Sequence, residues 1–206
     1  QRQAQVRQQR VVRNHAAASS VALCKATCWP STCSCAPACE LADRSLPLET
    51  CVATLRRAID AGLNLVDTAP GYEDGYSEEI VAQAVKGVRD QLFVIDKIDN
   101  LQAPVAPQIE DSLRRLQLDH TDAFVFHALS SLEIFERLAA PGGGFDQVAE
   151  CIRAGKTRFG GISSHNPDVL RAAIEAGLCD VVMFPVGPFV DERYITETLP
   201  LAKADL

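Results

Sequence analysis

The chain has 206 residues, of which 47% are apolar, and it carries a formal net charge of −7. This apolar share is normal for a chain that buries a core, so disorder over the whole length is excluded. No stretch approaches the roughly 18 successive apolar residues that a membrane span needs, and the acidic balance disfavours a general nucleic-acid binder. The composition therefore predicts a soluble protein that contacts neither membranes nor nucleic acids.

Residues 1–45 form a first compositional part, rich in Arg, Ala and Cys. Residues 1–40 hold five basic residues against one acid, a balance of +4, which leaves −11 for the remainder. The spacing of five cysteines fits no standard zinc pattern: Cys24, Cys28, Cys33, Cys35 and Cys39. We predict a poorly ordered extension that binds no metal, with a targeting leader or a metal-handling module as the alternatives.

From Leu48 onward, helical and strand-like patterns alternate. In chain order, the predicted elements are a helix over 47–62, a strand over 63–68, a helix over 77–88, a strand over 91–97, a helix over 107–118, a strand over 122–127, helical stretches over 132–138 and 146–155, a strand over 157–164, a helix over 167–177, a strand over 180–185 and a helix over 192–204. Start signals (Ser77 with Glu79, Asn166 with Pro167) and stop signals (Gly62, Gly87, Gly177) bound several helices. The strands are apolar at successive positions, which predicts a parallel sheet covered on both faces.

Polar residues end three successive predicted strands: Asp67, Lys97 and His127 lie thirty residues apart, one repeat each. Because neighbouring strands are about 4.8 Å apart, the Asp67 carboxylate can reach the Lys97 ammonium. Tyr72 lies in the loop that follows Asp67. The repeat length suits both a doubly wound sheet and an eightfold barrel, but functional groups at several strand ends are typical of a barrel. No G-x-G-x-x-G follows a strand, which disfavours a doubly wound dinucleotide fold.

These four residue types together can donate a proton to a carbonyl that receives hydride. A phenol has a pKa of about 10, and a nearby ammonium lowers it by favouring the phenolate. Lys97 can act in this way on Tyr72, with Asp67 holding Lys97 charged and in position. His127 would orient the carbonyl oxygen or help to relay the proton. This chemistry requires no metal, and the sequence contains no H-E-x-x-H or comparable ligand cluster.

Four motifs resemble the aldo-keto reductase family in sequence, order and spacing: GLNLVDTAPGYEDGYSEE, FVIDK, SLRRLQLDHTDAFVFH and AGKTRFGGISSHNPDVL. The resemblance covers about residues 48–200. It implies a (β/α)8 TIM barrel that binds NADPH, with NADH as the alternative, and reduces a small carbonyl substrate, an aldehyde or ketone, to an alcohol. It also implies a catalytic tetrad, Asp67, Tyr72, Lys97 and His127, in which Tyr72 donates the proton, and carboxamide contacts from Ser163 and Ser164. In the family, Ser followed by Asn is more usual at the latter two positions.

Parts of a complete barrel are not recognisable in the sequence. The cysteine-rich stretch before Leu48 stands where the family has its first strand, and Leu206 follows shortly after the sixth family unit, so we expect this chain to lack the last two βα units. We expect residues 46–206 to form a partial barrel, a truncated or partial member of the family, whose exposed strand edges favour self-association. A cytoplasmic reductase is the leading hypothesis. The alternative is a catalytically silent barrel fragment or a regulatory, binding subunit.

Overall fold

The computed structural model describes residues 42–187 and 189–205, so the cysteine cluster at residues 24–39 lies outside the described residues. Helices and strands alternate in the predicted order. The elements are α1 (Leu48–Asp60), β1 (Leu65–Asp67), α2 (Tyr76–Ala84), β2 (Phe93–Ile98), α3 (Val105–Leu116), β3 (Thr121–Phe126), α4 (Leu132–Ala139), α5 (Gly144–Arg153), β4 (Thr157–Ser163), α6 (Pro167–Glu175), β5 (Val181–Met183) and α7 (Leu199–Asp205), with a 3-10 turn at Arg89–Gln91 and a π-helical turn at Tyr194–Thr198.

The five strands form one parallel sheet in the order β1-β2-β3-β4-β5. Each strand lies beside its neighbours in sequence, whereas the strand order of a doubly wound sheet reverses at one point. The sheet curls into a half-barrel covered by helices. This confirms the predicted incomplete (β/α)8 barrel and rejects the doubly wound alternative. Lys97 pairs in register with Val125, and Asp67 pairs with Ile95, so the carboxyl ends of these strands share one rim.

The central strands β2 and β3 are buried on both faces, which explains their continuous apolar sequences. On the outer face, side chains such as Val94 and Phe124 pack against the helices. On the inner face, a smaller cluster contains Ile95 and Val125. Side chains alternate between the two faces of a strand, so Lys97, two residues after Ile95, belongs to the inner face. A lysine therefore stands at the rim of an inner face whose core is apolar.

Two predicted helix boundaries need correction. Ser77 and Glu79 are not the start of α2, because the helix begins at Tyr76 after Gly75, and the Ser77 hydroxyl accepts a 2.9 Å hydrogen bond from the Thr68 hydroxyl. The last helix is not continuous over 192–204, because a π-helical turn precedes α7. Pro200 has no N–H to donate to the carbonyl four residues earlier, so a regular α-helical ladder cannot pass through it.

The other helix signals hold. The Asn166 side chain caps α6 by accepting a hydrogen bond from the backbone N–H of Asp168 at 3.0 Å. Gly62, Gly87 and Gly177 follow helices with φ values of 104°, 78° and 65°, the left-handed region that favours glycine. None of the helices within the described ranges has both the length and the apolar character needed to cross a membrane.

The cysteines of the described residues are free thiols. Cys51, Cys151 and Cys179 are buried on the helix side of the sheet, as their predicted positions in helices or at helix ends indicate. Burial raises the pKa of the Cys179 thiol to about 12. At neutral pH this thiol therefore stays protonated and packs as a small apolar group.

Candidate active site

A buried ion pair joins the ends of β1 and β2. The Lys97 ammonium donates to Asp67 Oδ1 at 2.6 Å and to the Thr68 carbonyl at 2.8 Å. The side chains of Lys97 and Asp67 are 2% and 0% exposed. Burial raises the pKa of the Asp67 carboxyl, whereas the charge and hydrogen bond of Lys97 lower it. The Lys97 ammonium is thus held in one position from which it cannot rotate freely.

Tyr72 lies over this pair, in the loop that follows β1. The Lys97 ammonium is 4.6 Å from the centroid of the Tyr72 ring, a cation–π contact. The Tyr72 ring also meets the His127 ring edge to face, with centroids 5.5 Å apart and an interplanar angle of 81°. The structure therefore brings Asp67, Lys97, Tyr72 and His127 together at one rim of the sheet, as the spacing of the motifs predicts.

The Tyr72 loop has an unusual backbone. Glu73 and Asp74 have φ values of 50° and 51°, and Gly75 follows at 84°. A residue with a Cβ loses roughly 1–2 kcal/mol in the left-handed region, so other contacts must hold this turn. The Arg44 guanidinium donates to the Glu73 carbonyl at 2.7 Å and to the Asp74 carbonyl at 3.1 Å. Residues just before α1 therefore help to hold the loop that carries Tyr72.

His127 follows β3 and contacts a carboxylate that the sequence analysis missed. Asp99 Oδ1 lies 2.5 Å from His127 Nδ1, and Asp99 Oδ2 accepts a hydrogen bond from the Gly71 backbone N–H at 2.6 Å. The side chains of His127 and Asp99 are 20% and 29% exposed. Asp99 comes two residues after Lys97. Because side chains alternate between the faces of a strand, this spacing puts the two residues on the same face, and it was the available signal in the sequence.

Ser163 and Ser164 lie at the carboxyl end of β4, on the same rim. The half-buried Ser163 hydroxyl accepts a 2.9 Å hydrogen bond from the backbone N–H of Ala128, the residue after His127. Ser164 is buried, and its hydroxyl accepts a hydrogen bond from the Asn166 backbone N–H at 3.0 Å. The Ser163 side chain therefore ties the end of β4 to the His127 loop, whereas the Ser164 side chain orders the loop before α6.

Comparison with known proteins identifies the family. The model of the aldo/keto reductase family matches residues 38–192. The chain belongs to this family. It is 33% identical over 169 residues to the aldo-keto reductase YhdN of Bacillus subtilis, a match that covers 75% of this chain and 49% of that protein. It is 27% identical over 180 residues to an NADH-specific methylglyoxal reductase of Escherichia coli, covering 77% of this chain and 54% of the relative.

Solved aldo-keto reductases share the fold. A crystal structure of an aldo-keto reductase from Klebsiella pneumoniae in complex with NADPH superposes with a TM-score of 0.61 at 28% identity, covering 75% of this chain and 54% of that one. The chain thus spans about half the length of the relatives that it matches. Because these relatives form (β/α)8 barrels, the five-stranded half-barrel corresponds to part of the family's ring.

A second buried acidic group lies next to Lys97 on the other face of β2. Asp96 immediately precedes Lys97 and is fully buried, and it faces the Glu78 carboxylate of α2. Glu78 is also fully buried and accepts two hydrogen bonds from the Arg115 guanidinium, the longer at 3.1 Å. Burial and the neighbouring Glu78 charge raise the pKa of Asp96 well above its usual value. Two buried carboxyl groups therefore face each other beside β2, and Arg115 pairs with one of them, Glu78.

Proposed function

We propose that this chain carries the carbonyl-reducing site of an NAD(P)H-dependent oxidoreductase that converts an aldehyde or ketone to an alcohol, with Tyr72 as the proton donor. One observation carries the proposal: a buried Asp67–Lys97 pair lies against the Tyr72 ring, and the His127 ring meets that ring edge to face. Burying an ion pair costs desolvation energy, so a fold that retains one beside a tyrosine at a strand-end rim favours a chemical role.

The side chains on the rim fit a nicotinamide cofactor. The Ser163 hydroxyl is half-buried beside the His127 loop and can donate to or accept from an amide, which matches the carboxamide of nicotinamide. We propose that Ser163 and Ser164 hold this carboxamide. The bound cofactor supplies the hydride that reduces the carbonyl carbon. The NADPH in the Klebsiella structure and the NADH specificity of the Escherichia coli relative support NADPH, with NADH as the alternative.

In this mechanism the four side chains manage the proton. As the carbonyl carbon is reduced, the Tyr72 hydroxyl donates its proton to the carbonyl oxygen and is left as a phenolate. The Lys97 ammonium beside the ring stabilises that negative charge, and Asp67 keeps Lys97 charged and in place. His127 orients the carbonyl oxygen toward the phenol. The small carbonyl substrate, the cytoplasmic location and the two-part division at residue 45 stay predictions.

Methylglyoxal is the first substrate to test, because it is a small reactive carbonyl and the Escherichia coli relative is named for its reduction. The purified chain should consume NADPH or NADH when methylglyoxal is added, followed as loss of absorbance of the reduced nicotinamide. Tyr72→Phe should lower kcat by about 100-fold or more, because removal of a general acid typically costs 100- to 10,000-fold.

Tyr76→Phe is the matched control, since Tyr76 is a buried tyrosine at the end of the same loop. Its hydroxyl donates to the Leu46 carbonyl at 3.2 Å, so the substitution removes a hydrogen bond without touching the ion pair. Full activity in Tyr72→Phe would contradict the proton-donor role. A folded parent chain that binds NADPH in calorimetry but shows no turnover would favour the silent or regulatory alternative.

A further inference from the structure

We propose that Asp99 is a positioning residue of this site, and that its single carboxylate fixes the proton on Nδ1 of His127 while anchoring the Tyr72 loop through Gly71. The inference rests on the proposed function for its catalytic consequence, but not for its structural content. The two carboxylate oxygens of Asp99 contact different parts of the chain. Oδ1 lies 2.5 Å from Nδ1 of the His127 ring, and Oδ2 lies 2.6 Å from the Gly71 nitrogen.

The hydrogen-bond partners decide which ring nitrogen carries the proton. An ionised carboxylate only accepts, so His127 Nδ1 must be the donor in a contact of 2.5 Å. When the ring carries a single proton, that proton is therefore on Nδ1, and Nε2 is the acceptor. A carbonyl oxygen also only accepts. His127 can donate to it through Nε2 only as an imidazolium, whose positive charge the Asp99 carboxylate balances.

The second carboxylate oxygen of Asp99 holds the Tyr72 loop. The Gly71 N–H belongs to the residue before Tyr72, so Asp99 connects the backbone beside the proposed acid with the ring proposed to orient its target. The packing at this point is tight, because a Cβ on Gly71 would lie only 2.5 Å from Asp99 Oδ2. The absence of a side chain at residue 71 thus lets the carboxylate reach the backbone. One carboxylate sets the spacing between Tyr72 and His127.

The first test reads the tautomer directly and needs no turnover. Nitrogen-15 NMR of the histidine rings, at a pH where the His127 ring carries one proton, distinguishes Nδ1–H from Nε2–H, and His127→Gln assigns the signals. We expect Nδ1–H in the parent chain and a shift to Nε2–H in Asp99→Leu. Asp99→Asn should retain much of the Nδ1–H form, because its amide oxygen can still accept. Nε2–H in the parent chain, or Nδ1–H that persists in Asp99→Leu, would overturn the proposal.

The second test measures the consequence for the reaction. With a carbonyl substrate that the parent chain reduces, Asp99→Leu should lower kcat by roughly 100-fold, since a misplacement of about 1 Å in a catalytic group can have that effect. Asp99→Asn should recover part of the rate. Unchanged kcat in a variant whose tautomer has shifted would overturn the positioning role.

Asp146→Leu is the matched control. Asp146 Oδ2 accepts a hydrogen bond from the Gly142 N–H at 2.6 Å, the same kind of contact in the loop between α4 and α5. This variant should change neither the His127 signals nor kcat. If both change, the loss of any such loop contact is enough to disturb His127 and the reaction, and the assignment to Asp99 is overturned. A parent chain without turnover contradicts the proposed function, while the NMR result still decides whether Asp99 controls His127.

Discussion

Two adjacent side chains of β2, Asp96 and Lys97, are buried on opposite faces of the same strand. Lys97 has Asp67 as a counter-charge, and Asp96 meets a second carboxylate, Glu78. Burying a charge beside a like charge is unfavourable, so one of the two acids is expected to hold a proton. Asp96 Oδ2 has no hydrogen-bond partner among the described residues, and a proton on it can be donated to Glu78. A neutral Asp96 thus avoids a second negative charge behind Lys97.

The raised pKa of Asp96 makes a prediction about stability. Because folding raises this pKa, proton binding stabilises the fold at low pH, and that contribution is lost as the pH rises from the ordinary value of 3.8 through the folded-state value. Asp96→Asn keeps a neutral donor at every pH. Across this window, the free energy of unfolding of the parent chain should therefore fall relative to that of Asp96→Asn, as measured by urea denaturation.

Asp111→Asn provides the control for this comparison. Asp111 lies on α3 with 54% of its side chain exposed and forms an exposed ion pair with Arg114, so its removal should change stability by less than about 1 kcal/mol. If the parent chain and Asp96→Asn lose stability in parallel between these pH values, Asp96 is not the titrating group.

Some of these residues are predictable from the sequence and others are not, for a physical reason. Three residues were predictable, because each ends an apolar run and successive ones lie one repeat of thirty residues apart: Asp67, Lys97 and His127. Two others were not singled out. Asp99 directly follows β2, where a carboxylate resembles an ordinary turn residue, and Asp96 lies within β2, where the sequence does not show which group it meets. The folded structure shows that Asp99 meets His127 just beyond the ends of β2 and β3, and that Asp96 meets Glu78 of α2.

At the scale of elements, the two glycines inside β4 explain how β5 joins the sheet. A Cβ on Gly161 would lie 1.8 Å from the Val181 carbonyl oxygen, a backbone atom that cannot move without breaking the pairing. A Cβ on Gly160 would instead meet the Val148 side chain of α5 at 2.7 Å. Glycine within a strand often marks such a close approach. The pair thus sets the distance from β4 to its neighbours on both sides.

Gly161→Ala should therefore separate β5 from β4. We expect a loss of about 1–3 kcal/mol, or more where the strand cannot shift, from the overpacking. Chemical denaturation gives the size of the loss, and faster hydrogen exchange at residues 181–183 locates it. Gly187→Ala is the control, because a Cβ there would have no atom within 4 Å. Equal stabilities for the two variants would contradict this account of the β4–β5 contact.

The sequence predicted the type and order of the elements better than their ends. The strand β1 is short, Leu65–Asp67, although its apolar run extends over residues 63–68. Hydrophobicity reports burial, whereas strand length depends on which backbone groups find a partner. In the same way, helical periodicity continued through Pro200 in the sequence, but the missing N–H interrupts the ladder there.

At the scale of the whole molecule, the choice between a barrel and a doubly wound sheet depended on information that local patterns do not contain. Both architectures repeat βα units of about thirty residues. The order β1-β2-β3-β4-β5 decides between them, and strand order is a property of long-range pairing. Apart from the family resemblance, two sequence features favoured the barrel. Functional groups lie at several strand ends, which a curled sheet brings to a common rim, and no G-x-G-x-x-G follows a strand.

The strand order also places β1 and β5 at the two edges of the sheet, and within the described part of the chain each pairs on one side only. Unpaired parallel edges offer backbone donors and acceptors to another chain. We therefore expect the weight-average mass in sedimentation equilibrium to rise with protein concentration. Val181→Lys should reduce this association, because it puts a charge on the inner face of β5, where Val181 packs beside Ile95 and Val125.

Val186→Lys is the comparison that makes the result specific to the edge. Val186 is 65% exposed and lies beyond the end of β5. Val186→Lys therefore adds the same charge at a position outside the paired strand. Both variants raise the net charge equally, and any difference between them must come from where the charge stands. A monomer at every concentration, or equal suppression by both variants, would mean that the edges of the half-barrel do not drive self-association.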